Sequence, residues 1–169
     1  MGITIRKALP EDAYDLAVCG ISCWQSAYKG IIPDEYLDNM WAEKEKRFEG
    51  IRKWLTNPGD VIPHCVMLEN KMIGFLDIHI IHANIWAIYL IEEFWGKGYG
   101  KEILNFAINK LNSLGHPKIY LWVLEENNRA RRFYEKHGFR FNGEKREKEY
   151  GKPLIQLEYV LNLAEYTFS

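Results

Sequence analysis

Leu90-Ile-Glu-Glu-Phe-Trp-Gly-Lys-Gly-Tyr-Gly-Lys101 joins two unlike apolar patterns. Upstream, Ile85-Trp-Ala-Ile-Tyr-Leu-Ile91 is apolar at every position, which predicts a central strand buried on both faces. Downstream, Ile103, Leu104, Ala107, Ile108 and Leu111 recur at spacings of three and four, which predicts an amphipathic helix. A helix start exposes unpaired backbone N–H groups and a partial positive charge, and glycines let an anion approach them closely. A bare turn into a helix is the plain alternative. Gly96, Gly98 and Gly100 at alternate positions, with Lys97 and Lys101 interleaved, favour a phosphate cradle. It is not a nucleoside-triphosphate loop, because Gly100-Lys101 is followed by Glu102 where Ser or Thr is required. Nor is it a dinucleotide fingerprint: counted from Gly96 or Gly98, the third glycine position holds Lys101 or Ile103.

Outward from the loop, the elements read as one chain of alternating type. Ile3 to Leu9 alternates as an edge strand. Pro10-Glu-Asp opens a helix carrying Leu16, Cys19, Cys23 and Ala27, with Gly30 as its stop. Pro33 starts a second helical stretch, and Trp41 to Leu55 forms another. Ile62 to Leu68 and Met72 to Ile81 make a hairpin around Glu69-Asn-Lys71. Beyond the glycine helix come a strand at Lys118 to Leu124 and a short helix at Asn127 to His137. Phe139 to Phe141 and Leu154 to Leu161 are the final strands. The charged run Glu144-Lys-Arg-Glu-Lys-Glu149 between them is a solvated strand or loop, with contact to a substrate as the sharper alternative.

The 169 residues, 47% of them apolar, suffice for one domain over 1–169 with a full core, and no linker interrupts them. A net charge of −1 argues against nucleic acid or a membrane surface as partner. Met1 to Arg6 lacks the pattern of a secretory signal, and the longest apolar run falls far short of the roughly 18 residues needed to span a bilayer. A cytoplasmic location is therefore expected. Three cysteines make no disulfide framework. Cys19 and Cys23 share a helix face without a matching Cys/His pair, so they read as buried thiols and no metal is expected.

Asn127-Asn-Arg-Ala-Arg-Arg-Phe-Tyr-Glu-Lys-His-Gly-Phe139 supplies a second motif. Together with Trp95 to Gly100, it resembles the paired signatures of the GNAT superfamily of N-acetyltransferases. The first is similar to that family's Arg/Gln-x-x-Gly-x-Gly/Ala, with Gly98 and Gly100 on the glycines. The second follows its Asn-x-x-Ala-x-x-x-Tyr-x-x-x-Gly-Phe pattern. The resemblance implies a mixed α/β (α+β) fold: a mostly antiparallel sheet of about six or seven strands flanked by helices, its central strand splayed to bind acetyl-CoA. It implies acetyl transfer from acetyl-CoA, the co-substrate, to a primary amine of a small molecule or peptide. Cofactor contacts carry over to Leu90, Ile91 and Trp95, to the loop residues Gly96, Lys97, Gly98, Tyr99, Gly100 and Lys101, and to Asn127, Ala130, Phe133, Tyr134 and Lys136. Trp95 stands where the family has Arg or Gln, and its indole N–H leaves one donor for the pyrophosphate. Dimers are common in the family, and exposed aromatics could form a homodimer here.

The implied chemistry needs a free amine, a held oxyanion and a proton for the departing thiolate. Tyr134 falls on the family's Tyr and is the thiolate partner in that reading; packing beside Phe133 is the structural alternative. Backbone N–H near Leu90 would hold the oxyanion. The family's basic Glu falls at about Asn84, which is no base. Glu92, Glu93, Asp77, His79 and His82 remain as candidates, with Asp77 and His79 alternating on one strand. Trp24 and Tyr28, with Tyr36 nearby, could hold an amine by cation–π contact or simply pack the core. A polyamine, an aminoglycoside, an amino acid and a protein N-terminus all stay open as acceptors. So do two other readings: a module on the same fold that senses acetyl-CoA or a metabolite without catalysis, and an unrelated phosphate binder.

Overall fold

The computed structural model describes residues 2–166; residue 1 and residues 167–169, the ends of the expected domain, lie outside the described residues. Strand β1 (Thr4–Lys7) leads through a 3-10 turn at Pro10–Asp12 into α1 (Ala13–Tyr28), α2 (Asp34–Ala42) and α3 (Lys44–Thr56). A meander follows: β2 (Val61–Leu68), β3 (Lys71–His79) and β4 (Asn84–Leu90). After a second 3-10 turn at Glu92–Phe94 come α4 (Tyr99–Ser113), β5 (Lys118–Leu124), α5 (Asn128–Lys136), β6 (Arg140–Glu149) and β7 (Pro153–Asn162). The sheet order is β1-β2-β3-β4-β5-β7-β6. All neighbours are antiparallel except β4 and β5, whose parallel direction requires the α4 crossover between them.

Each face of the sheet is covered by helices whose apolar stripe the sequence already shows. Ile103, Leu104, Ala107, Ile108 and Leu111 of α4 are fully buried against Ile73, Leu76 and Ile119. The opposite face packs Leu16, Cys19 and Cys23 of α1 and Leu55 of α3 against Cys65, Met72 and Phe75. All three cysteines are buried thiols, Cys19 and Cys23 with sulfurs 3.9 Å apart. Burial pushes the Cys65 thiol up to about 12. No group of His, Cys, Asp and Glu suited to a metal occurs among the described residues, and no helix of theirs is long and apolar enough to cross a membrane.

One expectation holds and one changes. The charged run joins a ten-residue strand, β6, exposed at every position. And β4 is not buried on both faces: Trp86 is 59% exposed. The register explains why. Asp77 pairs with Ala87 and Ile78 with Ile85, so Trp86 is an extra residue in β4. Such a bulge bends its strand and turns one side chain out.

β4 also approaches β3 very closely at Gly74. A Cβ there would collide with the Tyr89 backbone carbonyl. Gly74→Ala should cost about 2 kcal/mol or more in chemical denaturation, because backbone rather than a flexible side chain must move. A midpoint equal to the parent's would show that the β3–β4 pair yields easily.

Candidate active site

Gly96 and Gly98 have φ of +72° and +90°, a left-handed conformation that glycine adopts without Cβ strain. That geometry turns the chain from the 3-10 turn into α4. It leaves the N–H groups of Gly96, Lys97, Gly98, Tyr99 and Gly100 without an acceptor among the described residues. The first turn of α4 therefore keeps its anion-binding donors and the positive end of its dipole. Beside it lies a groove of about 910 Å³. Leu90, Trp95, the three loop glycines and Lys101 form one side, and Phe133 and Lys136 form the other. The side chains of Ile91, Lys97 and Tyr99 stand off this groove: Lys97 lies over the Phe94 ring, while Ile91 and Tyr99 pack on the core. Lys97 and Tyr99 contribute N–H groups instead.

The Trp95 indole N–H donates within the chain, to the Leu90 carbonyl at 2.8 Å, and its ring carries the Arg129 guanidinium 3.2 Å from the centroid. The single donor that the sequence left for the cofactor is thus engaged by the backbone of β4.

Next to the groove lies a narrow passage lined by β4, β5 and α5. Strands β4 and β5 pair at Asn84↔Tyr120 and Ile85↔Leu121 and then separate. Ile91 N–H donates to Ile73 across β3, so by the alternation of an antiparallel pair the Leu90 N–H points the other way, into the gap. Leu90 and Trp95 line both groove and passage. Asn127, Arg129, Ala130 and Tyr134 close the passage from the α5 side.

Local hydrogen bonds fix α5 there. Asn127 caps the helix, its Oδ1 accepting from Ala130 N–H at 3.1 Å. Arg131 donates to the Glu125 carbonyl and to the Tyr159 hydroxyl, which donates to Glu135 at 2.6 Å. The Tyr134 hydroxyl, by contrast, makes no hydrogen bond among the described residues. Burial holds that phenol well above the ordinary tyrosine range; Tyr28 adds to the effect and Arg129 opposes it.

Past the passage is an aromatic pocket of about 360 Å³. Tyr28, Trp86, Tyr89 and Trp122 line both spaces, so passage and pocket adjoin and share one wall of rings. Trp24 and Tyr150 complete the ring wall, 5.6 Å apart in edge contact. Tyr28 and Tyr89 share a hydrogen bond of 2.5 Å, and burial pushes the Tyr28 phenol up to about 12.

Trp24 and Tyr28 thus meet at one site with Tyr134, whereas Asp77 and His79 do not. Asp77 lines a separate cavity of about 170 Å³ beneath α1 and α3, with Trp24, Trp54, Phe75 and Arg47. Burial pushes its carboxyl up to about 7. His79 meets the Trp86 ring at a tilt, centroids 5.2 Å apart, and accepts the His82 N–H at 3.3 Å; it lines neither the passage nor the pocket. Asn84, the position of the missing Glu, does line the pocket.

Sequence reading missed Trp86, Tyr89, Trp122 and Tyr150, and on the groove His137 and Arg140. Tyr89 and Trp122 are aromatics in apolar strands and carry no local signal. Arg146 lay within the charged run whose contact with a substrate was the sharper alternative, and it lines the pocket.

The model of the acetyltransferase (GNAT) family matches residues 24–139. A spermidine N(1)-acetyltransferase of Thermoplasma acidophilum is 30% identical over 145 residues, covering 83% of this chain and 89% of that protein. The N-acetyltransferase YuaI of Bacillus subtilis is 28% identical over 132 residues, 74% of this chain and 73% of that one. Among solved structures, the PaiA N-acetyltransferase of Thermoplasma acidophilum in complex with coenzyme A superposes with a TM-score of 0.73 at 26% identity. That likeness covers 96% of this chain and 99% of the other.

The Asp77 carboxyl sets a pH dependence of stability. Its folded pKa is raised, so the fold binds the proton that the unfolded chain releases near 3.9. Stability from this group therefore falls as pH climbs from about 4 to about 7 and stays low above. Between pH 5 and 8.5, Asp77→Asn should gain on the parent by about 1–3 kcal/mol in urea denaturation. Parallel profiles for the two proteins would contradict it.

Proposed function

This chain belongs to the GNAT family of acetyltransferases, and from that membership we propose that it moves an acetyl group from acetyl-CoA directly to a primary amine, with Tyr134 serving the leaving thiolate. The observation that carries the proposal is the juxtaposition of three cavities: the passage that holds the free hydroxyl of Tyr134 and the inward N–H of Leu90 shares walls with the glycine-loop groove on one side and with the aromatic pocket on the other.

In this reading the pyrophosphate of coenzyme A lies against the N–H groups of residues 96 to 100, where the dipole of α4 favours negative charge. Lys101, Lys136 and Arg140 border the same groove and suit the remaining phosphate. The solved relative that holds coenzyme A supports this assignment. The pantetheine arm enters the gap between β4 and β5 and takes up backbone groups that no strand satisfies.

The acceptor amine approaches from the aromatic pocket. Its nitrogen forms a bond to the thioester carbon, and the carbonyl electrons move to oxygen, where the Leu90 N–H donates. The amine proton leaves to solvent through the open pocket. When the oxygen electrons return, the carbon–sulfur bond breaks and Tyr134 O–H gives its proton to the thiolate. The thiolate of coenzyme A, whose thiol titrates near 8.5, is a weaker base than a phenolate, so Tyr134 serves sulfur mainly while charge develops, then recovers its proton, and the released thiolate takes its own from solvent. The raised pKa of Tyr134 keeps its proton in place throughout the neutral range.

Tyr134→Phe should lower kcat by roughly a hundredfold while acetyl-CoA binding by calorimetry stays within about twofold. Equal turnover in the two proteins would remove Tyr134 from the mechanism. The pH profile adds a second check. Activity should rise with pH as the amine loses its proton, with no descending limb below about pH 10, because the Tyr134 phenol is still protonated there. A fall between pH 7 and 9 would assign the proton to another group.

A further inference from the structure

The wall of the aromatic pocket is cationic, and no carboxylate belongs to it. Arg146 projects from β6 and Arg129 from α5, the first into the pocket and the second into the passage. Each guanidinium is held over an indole: Arg146 4.1 Å from the centroid of Trp122, Arg129 over Trp95. Arg146 is further anchored by its Nε, which donates to Gln156 Oε1 at 2.7 Å. Its Nη groups donate to no described residue. The nearest acid it feels, Glu158, accepts instead from Asn142 at 2.6 Å and lies outside the pocket lining. The alternation of β6 puts Glu147 and Glu149 on the other face of the strand. A positioned guanidinium with an unused fork matches a carboxylate, which it can take with two parallel hydrogen bonds.

Position within the channel says where that anion sits. Arg146 lines the pocket but not the passage; Tyr134 and Leu90 line the passage but not the pocket. Between them stand the rings of Trp86, Tyr89 and Trp122.

We propose that the acceptor is a small amine carrying an anionic group at its far end, the two separated by an aromatic or apolar body. Arg146 takes the anion, the rings take the body, and the amine reaches the gap beside Leu90. A polyamine brings a second cation to Arg146 and meets no carboxylate in the lining of the passage or the pocket, so the spermidine named for a relative does not suit this pocket. The inference rests on the acetyl-transfer reading for its orientation, but ligand selection by the pocket can be measured without transfer.

The test uses three compounds built on one benzylamine unit, with a carboxylate, a hydrogen or a second aminomethyl group in the para position: para-(aminomethyl)benzoate, benzylamine and para-xylylenediamine. Binding is followed by intrinsic fluorescence with coenzyme A present, since Trp24, Trp86 and Trp122 line the pocket. Transfer is followed by thiol release. The benzoate should bind, and be acetylated in kcat/KM terms, at least about tenfold better than benzylamine, with the diamine weakest. Arg146→Gln should remove that order, Arg146→Lys retain it in part, and Arg146→Glu reverse it. Acetyl-CoA affinity should be unchanged in all three, which also reports that they fold.

A diamine equal to or better than the benzoate overturns the inference, as does an order that survives Arg146→Gln. Discrimination in binding without any thiol release would leave the inference standing and overturn the transfer reading. Thiol release without discrimination would do the opposite.

Discussion

The β4–β5 pair holds for two residue pairs and then parts, and the rest of the site follows from that opening. In a sheet, an unpaired strand edge leaves N–H and C=O groups unsatisfied. Here the edge is internal, so its free groups, Leu90 N–H among them, face a gap that a ligand can fill rather than bulk solvent. The bulge at Trp86 bends β4 where the separation begins, and the parallel crossover through α4 brings the glycine loop to the mouth of the same gap. One local irregularity thus positions a phosphate cradle, a polar backbone edge and an aromatic pocket along a single line.

Two arginine–indole stacks then give the channel its electrical character. Both guanidiniums lose some hydration where they sit, which lowers their pKa slightly without discharging them. A flat ring beneath each one fixes its plane and takes over part of the contact that water would make. The Trp95 stack does a second thing. Its indole N–H ties the loop to the Leu90 carbonyl, so the residue standing in the position of a family polar side chain acts as a brace between cradle and strand.

How much of this could be read from the chain varies with the range of the signal. Local patterns carried well: Lys118–Leu124 is the strand read there, the α4 stripe is buried as its spacing requires, and Asn127 caps α5. The family motifs are local in the same sense. What escaped depends on register. Nothing in Asn84 to Leu90 marks Trp86 as the extra residue; that follows from how β3 pairs opposite it. Arg146 meets Trp122 through strands brought together by β7, a relation that lies across 24 residues of chain (146 − 122). Asp77 shares a face of β3 with Phe75, yet α1 and α3 roof it into its own cavity. Strand alternation could place its face but not the helices above it.

The buried cysteines have a practical corollary. The Cys65 thiol, near 12, is ionised to only about one part in ten thousand at pH 8, and all three cysteines are buried away from reagents in solution. Disulfide-exchange dyes that detect released coenzyme A will therefore read product without being consumed by folded protein. The same dye becomes a clock for opening of the α1 face, because Cys19, Cys23 and Cys65 line one cluster and are exposed together when that layer lifts from the sheet.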